Sequence, residues 1–434
     1  MGKLGYASPG LARGRRLQRS ATTGPHDTDT DTQLVPLSEL TELVKASLLG
    51  LSYSGDEADI IGDVLIWAQL RGNSQNVIKI PAGAIAKDKD AVSPHVARDN
   101  GALAVIDGGR SQGMLAMHAA TELAIQRAQL HGSGIIAVNN ISSATGALGY
   151  WVEAIVRRGL IGVAMSQSPE YVAPHGTTEA ILGTNPIAVA VPTAEDPLIM
   201  DLSTAAAAWW ALADARDRGA SVADDIGYDS SGQMTTDPGR ILDGGAIQVF
   251  DRSYKGSHLA LMVEILAGAL AGGAVLDKTR SANWGNLIVA IEPGKLGGST
   301  QDFCAKVTAL LQRVKGARLA PGVEEVLLPG ERGSRCEERC RAAGAVPLAR
   351  PLYEGLCNAA RGGASHERPA EPGHDATPGP KESGKGGPRY KQWGGGPTVE
   401  AWLLEQTELA PTSKERHHIV LAAHSRPPMS SAFA

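Results

Sequence analysis

Aromatic residues are scarce in this chain: 3 Phe, 8 Tyr and 7 Trp make up 4% of 434 residues. Its cores must be built from Ala, Val, Leu and Ile, which the 43% hydrophobic content supplies. Cysteine is scarcer still, and Cys304, Cys336, Cys340 and Cys357 are too few and too clustered for a disulfide scaffold. Cys336 and Cys340 fall four apart in a predicted helix, but without further ligands in the pattern they read as plain thiols, and no metal is expected. A reducing compartment, the cytoplasm, follows from that usage. Neither sign of charge dominates, with 41 Lys and Arg against 46 Asp and Glu and a formal net charge of -5. A polyanion binder would show a basic face, so nucleic acid is not an expected partner. No apolar run reaches the ~20 residues that cross a bilayer. The nearest, LALMVEILAGALAGGAVL from Leu259, contains Glu264 and much Gly and Ala, so it reads as a buried helix and no membrane is expected. Motifs are missing too: there is no GxGxxG opening a strand–turn–helix, no GxxxxGK[ST], no GxSxG and no HExxH. Any nucleotide site must be neither Rossmann nor P-loop.

What is present divides the chain into four stretches. Residues 1–34 lack apolar periodicity and are expected to be a disordered extension. Their Lys3, Arg13, Arg15, Arg16 and Arg19, with no acid before residue 25, give the composition of a transit peptide, which keeps a mitochondrial location open beside the cytoplasmic one. Residues 35–100 read as a helical subdomain. In LSELTELVKASLLGL, Leu40, Leu43, Val44 and Leu48 share one face, and GDEADIIGDVLIWAQLRG begins with Asp56 and Glu57, acids that complement a helix N-terminus. A third helical stretch is expected near Ala91–Asn100. Over 101–357, strands such as ALAVID, GIIAVNN, LIGVAMS, NPIAVAV and NLIVAI alternate with helices, the pattern of an α/β or α+β domain. A C-terminal helix of this stretch is expected to pack back on the helical subdomain. Residues 358–434 mix Gly, Pro, Ser and charge and cannot bury enough apolar surface to offset chain entropy, apart from one amphipathic piece, VEAWLLEQTELA.

The stretch from Gly132 to Ser203 carries the chemistry. Its apolar strands stop repeatedly at small polar residues, ending in GTNP and DLST. Strands hold such loops still, and small side chains let a ligand approach the backbone. An ordinary α/β core with ordinary turns would give the same texture.

Six ordered blocks narrow this. GLIGVAMSQSPEYVAPHGTTEAILGTNPIAVAVPT, MDLSTAAAAWW, TTDP, YKGSHLALMVEILAG, NWGNLIVAI and LPGERG, in this order and spacing, resemble the malate/L-lactate dehydrogenase family of non-Rossmann NAD(P)-dependent oxidoreductases. That family also includes sulfolactate, ureidoglycolate and diketogulonate-type enzymes. The resemblance runs from about Leu37 to Cys357. It implies a mixed, largely antiparallel sheet flanked by helices with a helical N-terminal subdomain. It also implies a homodimer, NAD or NADP bound near the subunit interface, and small 2-hydroxy or 2-oxo acids and related imino acids as substrates. Carried over residue by residue, it places the cofactor on Ser168, on Asp201, Leu202 and Ser203, on Tyr254 and Lys255, and on Gly330 and Glu331. Gly183, Thr184, Asn185 and Pro186 form a tight turn whose amide and hydroxyl can bond a ligand. Plainer roles stay open, since GTNP can merely shape a turn and Asp201 can cap a neighbouring helix.

The departures concern the proton. After LRG the family carries SHGxxR, with His as the acid/base and Arg for the substrate carboxylate. Here Gln75 follows Ser74 in place of the His, Asn76 replaces the Gly and Lys79 the Arg. In a second loop, where some members use a His, the sequence is Ser143-Ala144-Thr145, and His258 stands where KGxGL has its second Gly. Hydride transfer to a carbonyl leaves an alkoxide that needs a proton donor, a task that Gln and Ala cannot perform. Three outcomes remain. Lys255 or His175 supplies the proton as catalytic residue; or Ser74, Gln75, Lys79, Ser143 and Thr145 form a rebuilt substrate site in a divergent branch; or the protein is a catalytically weak nucleotide binder. The second is the preferred expectation, with Lys79, Ser143 and Thr145 on the substrate and Lys255 polarising it.

Overall fold

The computed structural model describes residues 32–276, 278–281 and 283–363. The expectations for residues 1–31 and 364–434, VEAWLLEQTELA included, lie outside the described residues.

The chain enters as strand β1 (Thr32–Pro36) and turns into α1 (Leu37–Gly50), which buries Leu40, Val44 and Leu48 as its periodicity predicts. Helix α2 (Gly55–Leu70) is started by a capping box in which Ser54 accepts from the Glu57 N–H and Glu57 accepts from the Ser54 N–H. There follow β2 (His95–Asn100), β3 (Leu103–Asp107), α3 (Gly113–His131), β4 (Ser133–Asn139), α4 (Leu148–Val156), β5 (Ile161–Ser166), β6 (Ile187–Val191), β7 (Leu198–Leu202) and α5 (Trp209–Asp217). Next come β8 (Gly227–Tyr228), β9 (Met234–Thr235), α6 (Pro238–Leu242), β10 (Ala246–Ile247) and α7 (Tyr254–Val263), which runs on as a π-helical stretch, Glu264–Ala269. The rest is α8 (Lys278–Ser281), β11 (Asn286–Ile291), α9 (Gly294–Gly297), α10 (Thr300–Lys315), α11 (Glu331–Ala343), β12 (Ala345–Ala349) and α12 (Arg350–Asn358).

The main sheet has seven strands in the order β2-β3-β4-β11-β5-β6-β7, with β3 and β4 parallel and every other neighbouring pair antiparallel. It is the mixed, largely antiparallel, non-Rossmann sheet expected. Helices α3 and α4 pack on one face, α2 packs on both, and the π-helical stretch covers β5 and β11. One core cluster runs from Leu40 and Ile61 through Ile136 and Ile288 to Leu356, so the N-terminal helices and the sheet share it. A smaller cluster, including Val172, Leu212 and Val249, lies under α5, α6 and the three-stranded sheet β10-β8-β9.

Three boundaries differ from the sequence reading. Thr32–Leu34 are not part of a disordered extension, because β1 pairs antiparallel with β12. The expected third helix near Ala91–Asn100 is instead β2, an edge strand whose polar residues face solvent and whose backbone bonds satisfy β3. Residues 359–363 continue α12 as a π-helical turn against α1.

Candidate active site

Sheet topology gathers three of the sequence blocks. Because β5, β6 and β7 are successive antiparallel neighbours, the exit of β5, the entry of β6 and the exit of β7 lie side by side, with Met165 opposite Ile187 and Ile187 opposite Leu202. SQS, GTNP and DLS follow or precede these strands directly. Loops 72–84 and 142–147 face them, and together they enclose a cavity of about 500 Å³. Ser74, Gln75, Lys79, Ser143 and Thr145, expected on the substrate, and Ser168, Thr184, Pro186, Asp201, Leu202 and Ser203, expected on the cofactor or the turn beside it, all line this one cavity.

Lys79 is the unusual group. Asn73 accepts the Gln75 N–H at 2.8 Å and Asn76 accepts the Ile78 N–H at 3.0 Å, which tightens the loop into a 3-10 turn ending at Lys79. The Lys79 side chain is 0% exposed, and its Nζ has no hydrogen-bond partner but lies 4.9 Å from the Trp210 ring centroid. Burial pulls its ammonium down from 10.5 to about 7. In the same cavity, the buried Ser143 Oγ also lacks a partner. Thr145 Oγ1 is 3.5 Å from Ser166 Oγ.

Asp201 does cap a helix: its Oδ2 accepts the Gly149 N–H, in the first turn of α4, at 2.9 Å. Withdrawal from water raises its carboxyl from 3.8 to about 6, against the opposing pull of that N–H and of Arg71. Ser168 Oγ accepts the Thr184 N–H at 2.8 Å, and Ser203 Oγ donates to the Thr184 carbonyl at 3.0 Å, so the three blocks are also bonded to one another.

Other expected site residues stand elsewhere. Gly183 belongs to the turn behind the cavity, where a Cβ would meet Ser168 Oγ at 2.5 Å and Asn185 Oδ1 at 2.4 Å. Asn185 faces away from the cavity: its Nδ2 donates to the Ala260 carbonyl at 3.0 Å and to Glu264 at 2.7 Å. Tyr254 and Lys255 occupy the exposed N-terminal turn of α7, and His175 is exposed nearby, its backbone N–H donating to Ser257 Oγ at 3.1 Å. None of the three lines the cavity. Gly330 has φ 86° and lies against the Ile199 carbonyl, which a Cβ would meet at 2.5 Å. Glu331 binds Lys315 at 2.9 Å; burial works against its charge, but Lys315 and the Leu328 N–H outweigh it and hold the carboxyl below its ordinary value.

The structure adds Arg332, exposed at the mouth, together with Trp209, Trp210 and Trp284. WW and NW stand in the blocks that carry the family resemblance, and three tryptophans in so aromatic-poor a chain were the available signal. Gln167 also lines the cavity, and its amide is pinned by Glu264 at 2.6 Å and by the Gly285 N–H at 3.0 Å. Glu264 in turn accepts from the fully buried Lys278 at 2.8 Å. Among the described residues, no group of three or more His, Cys, Asp and Glu is placed to hold a metal, and no helix is long and apolar enough to cross a membrane.

Fold and cavity define a non-Rossmann α/β protein with a small-ligand site built on adjacent strand ends. A family model described as malate/L-lactate dehydrogenase matches residues 35–357. The chain is 31% identical over 338 residues to L-sulfolactate dehydrogenase of Methanothermobacter thermautotrophicus, covering 74% of this chain and 95% of that one. It is 32% identical over 336 residues to a delta(1)-pyrroline-2-carboxylate/delta(1)-piperideine-2-carboxylate reductase of Pseudomonas putida, covering 74% and 95%. The structure of malate dehydrogenase from Pyrococcus horikoshii superposes with a TM-score of 0.68 at 28% identity, covering 78% of this chain and 98% of that one. The chain belongs to the malate/L-lactate dehydrogenase family. It is an oxidoreductase of the NAD- or NADP-dependent kind that acts on CH–OH groups.

Proposed function

We propose that the protein interconverts a small 2-oxo acid and its 2-hydroxy acid, of the malate or lactate type, in the cavity between loops 72–84 and 142–147 and the ends of β5 and β7. The observation that carries this reading is Lys79 Nζ, a buried donor without a partner in the cavity wall, at the position where the family resemblance implies an arginine. A buried donor left without a partner is costly, and an oxygen of the substrate's 2-oxo group satisfies it. Ser143 Oγ, also unpartnered, and Thr145 bond the remaining substrate oxygens.

The same cavity suits a nicotinamide head group, with orphaned polar atoms beside apolar Trp surface and an exposed mouth at Arg332. When bound, the nicotinamide supplies or accepts the hydride. Ser168, Thr184, Asp201, Leu202 and Ser203 hold it at the strand ends, while Gly183, Asn185, Pro186, Gly330 and Glu331 shape the surrounding turns. Tyr254 and Lys255 fit a cofactor role through a second copy of the chain. Tyr254, Leu261, Met262, Ile265 and Leu270 are all exposed, the first four at helical spacing on one side of α7 and its π-helical extension. Such a face supports a homodimer contact.

Oxidation of NADH or NADPH with a panel of 2-oxo acids tests the reading, and absence of turnover across the panel sinks it. Gln75 and Ala144 line the cavity and favour one second reading, a nucleotide binder without turnover. That protein would still be stabilised by cofactor, by ~2.7 kcal/mol at a hundred times the dissociation constant.

A further inference from the structure

We propose that Lys79 is the proton donor to the carbonyl oxygen of the substrate, taking over the task of the imidazoles that Gln75 and Ala144 replace; this rests on the function proposed above. The argument begins with competing groups in the cavity. Gln75 and Gln167 are amides, and Ser143 and Thr145 are alcohols; none of these exchanges a proton readily near neutrality. Asp201 commits Oδ2 to the first turn of α4. Arg332 is exposed at the mouth, and a guanidinium does not give up its proton. His175, Lys255 and His258 are exposed on or beside α7, away from the cavity lining.

Lys79 differs from all of these. A lysine clamped by a carboxylate would be held charged, but no acid lies within ion-pair distance of Lys79 among the described residues. The titratable groups lining its cavity are Asp201, Tyr171 and Arg332, and beyond them Arg71 is paired with Glu337 at 2.7 Å. The Nζ is fully buried, unpartnered and placed over Trp210, which steadies an ammonium without accepting its proton. Burial alone brings the group to about 7, so both protonation states are populated where the enzyme would work.

The step balances. A reduced nicotinamide held at the strand ends would supply a hydride to the carbonyl carbon, whose C=O electron pair would move onto oxygen. One Nζ–H bond of Lys79 breaks and the O–H bond forms, leaving a hydroxy acid and a neutral amine. The amine regains a proton from water through the mouth. In the oxidation direction the neutral amine takes the hydroxyl proton.

The test uses the full chain and its Lys79→Arg, Lys79→Met and Lys79→Ala variants, each checked for folding by circular dichroism. With lysine labelled by 13C at Cε, the Lys79 resonance of the cofactor-free protein, assigned by its loss in Lys79→Arg, should titrate near neutral pH; a midpoint near 10 overturns the proposal. Lys79→Arg, which keeps the charge, should lose kcat for reduction ~100-fold or more with KM changed less than tenfold. The alkaline limb of its pH profile should disappear, and primary amines should partly restore Lys79→Ala. A Lys79→Arg enzyme with unchanged kcat, or loss confined to KM in Lys79→Met, makes the residue a carboxylate clamp and overturns the proposal while leaving the function standing. Absence of wild-type turnover with every 2-oxo acid overturns both.

Discussion

Lys79 and Asp201 line one cavity and are shifted in opposite directions, and each leaves a stability signature that needs no substrate. Lys79 falls from 10.5 unfolded to about 7 folded, so the unfolded chain binds the extra proton between those values and stability rises with pH across that window. Lys79→Met should therefore exceed wild type in urea midpoint at pH about 6, with the gain shrinking toward pH about 10. A gain independent of pH would place the lysine in contact with water. Asp201 rises from 3.8 to about 6, so the folded chain binds the extra proton and stability falls as pH rises through that range. Asp201→Asn keeps an acceptor for the Gly149 N–H and should be at least as stable as wild type above pH about 6, the difference vanishing below about 4. Asp201→Ala loses the cap and should cost about 1 kcal/mol. Sequence alone singled out both residues. It could not show that Asn73 and Asn76 fold the loop so that the lysine is driven inward, because that rests on side-chain bonds to nearby backbone rather than on a pattern.

Among the elements, the strands with apolar interiors were the legible ones, and β3, β4, β5, β6 and β11 all lie where runs of Val, Ile and Ala stood. β2 was not legible: HVARDN carries its polar groups outward at a sheet edge and shows no apolar alternation. The GTNP turn was legible as a turn, but its attachment was not. Asn185 bonds Glu264, on an element nearly eighty residues away, and Glu264 also bonds Gln167 and Lys278. Removing one partner of a buried ion pair strands the other. Glu264→Ala should thus lose ~3–5 kcal/mol in chemical unfolding, whereas exposed Lys45, paired with Asp59 on the surface, should tolerate alanine within ~1 kcal/mol.

For the molecule as a whole, the exposed apolar side of α7 makes a prediction about assembly. Met262→Glu, with a neighbour such as Leu270→Glu, should convert the proposed dimer into a monomer in light scattering, and a monomeric wild type would remove the proposed contact. Loss of turnover in that monomer, with the cavity residues intact, would identify Lys255 and Tyr254 as groups lent to a second copy.

The core shared by the N-terminal helices and the sheet has a practical consequence. Loop 72–84 is one wall of the cavity and the strand ends are the other, yet both are anchored in the same continuous packing, from Leu40 to Ile288. The two walls cannot part like the jaws of a hinged enzyme without opening that packing to water. Exchange of a ligand through the mouth at Arg332 leaves that packing closed. A chain cut between residues 84 and 95 should leave neither fragment able to fold alone, and mixing the fragments should restore the site only if they fold together.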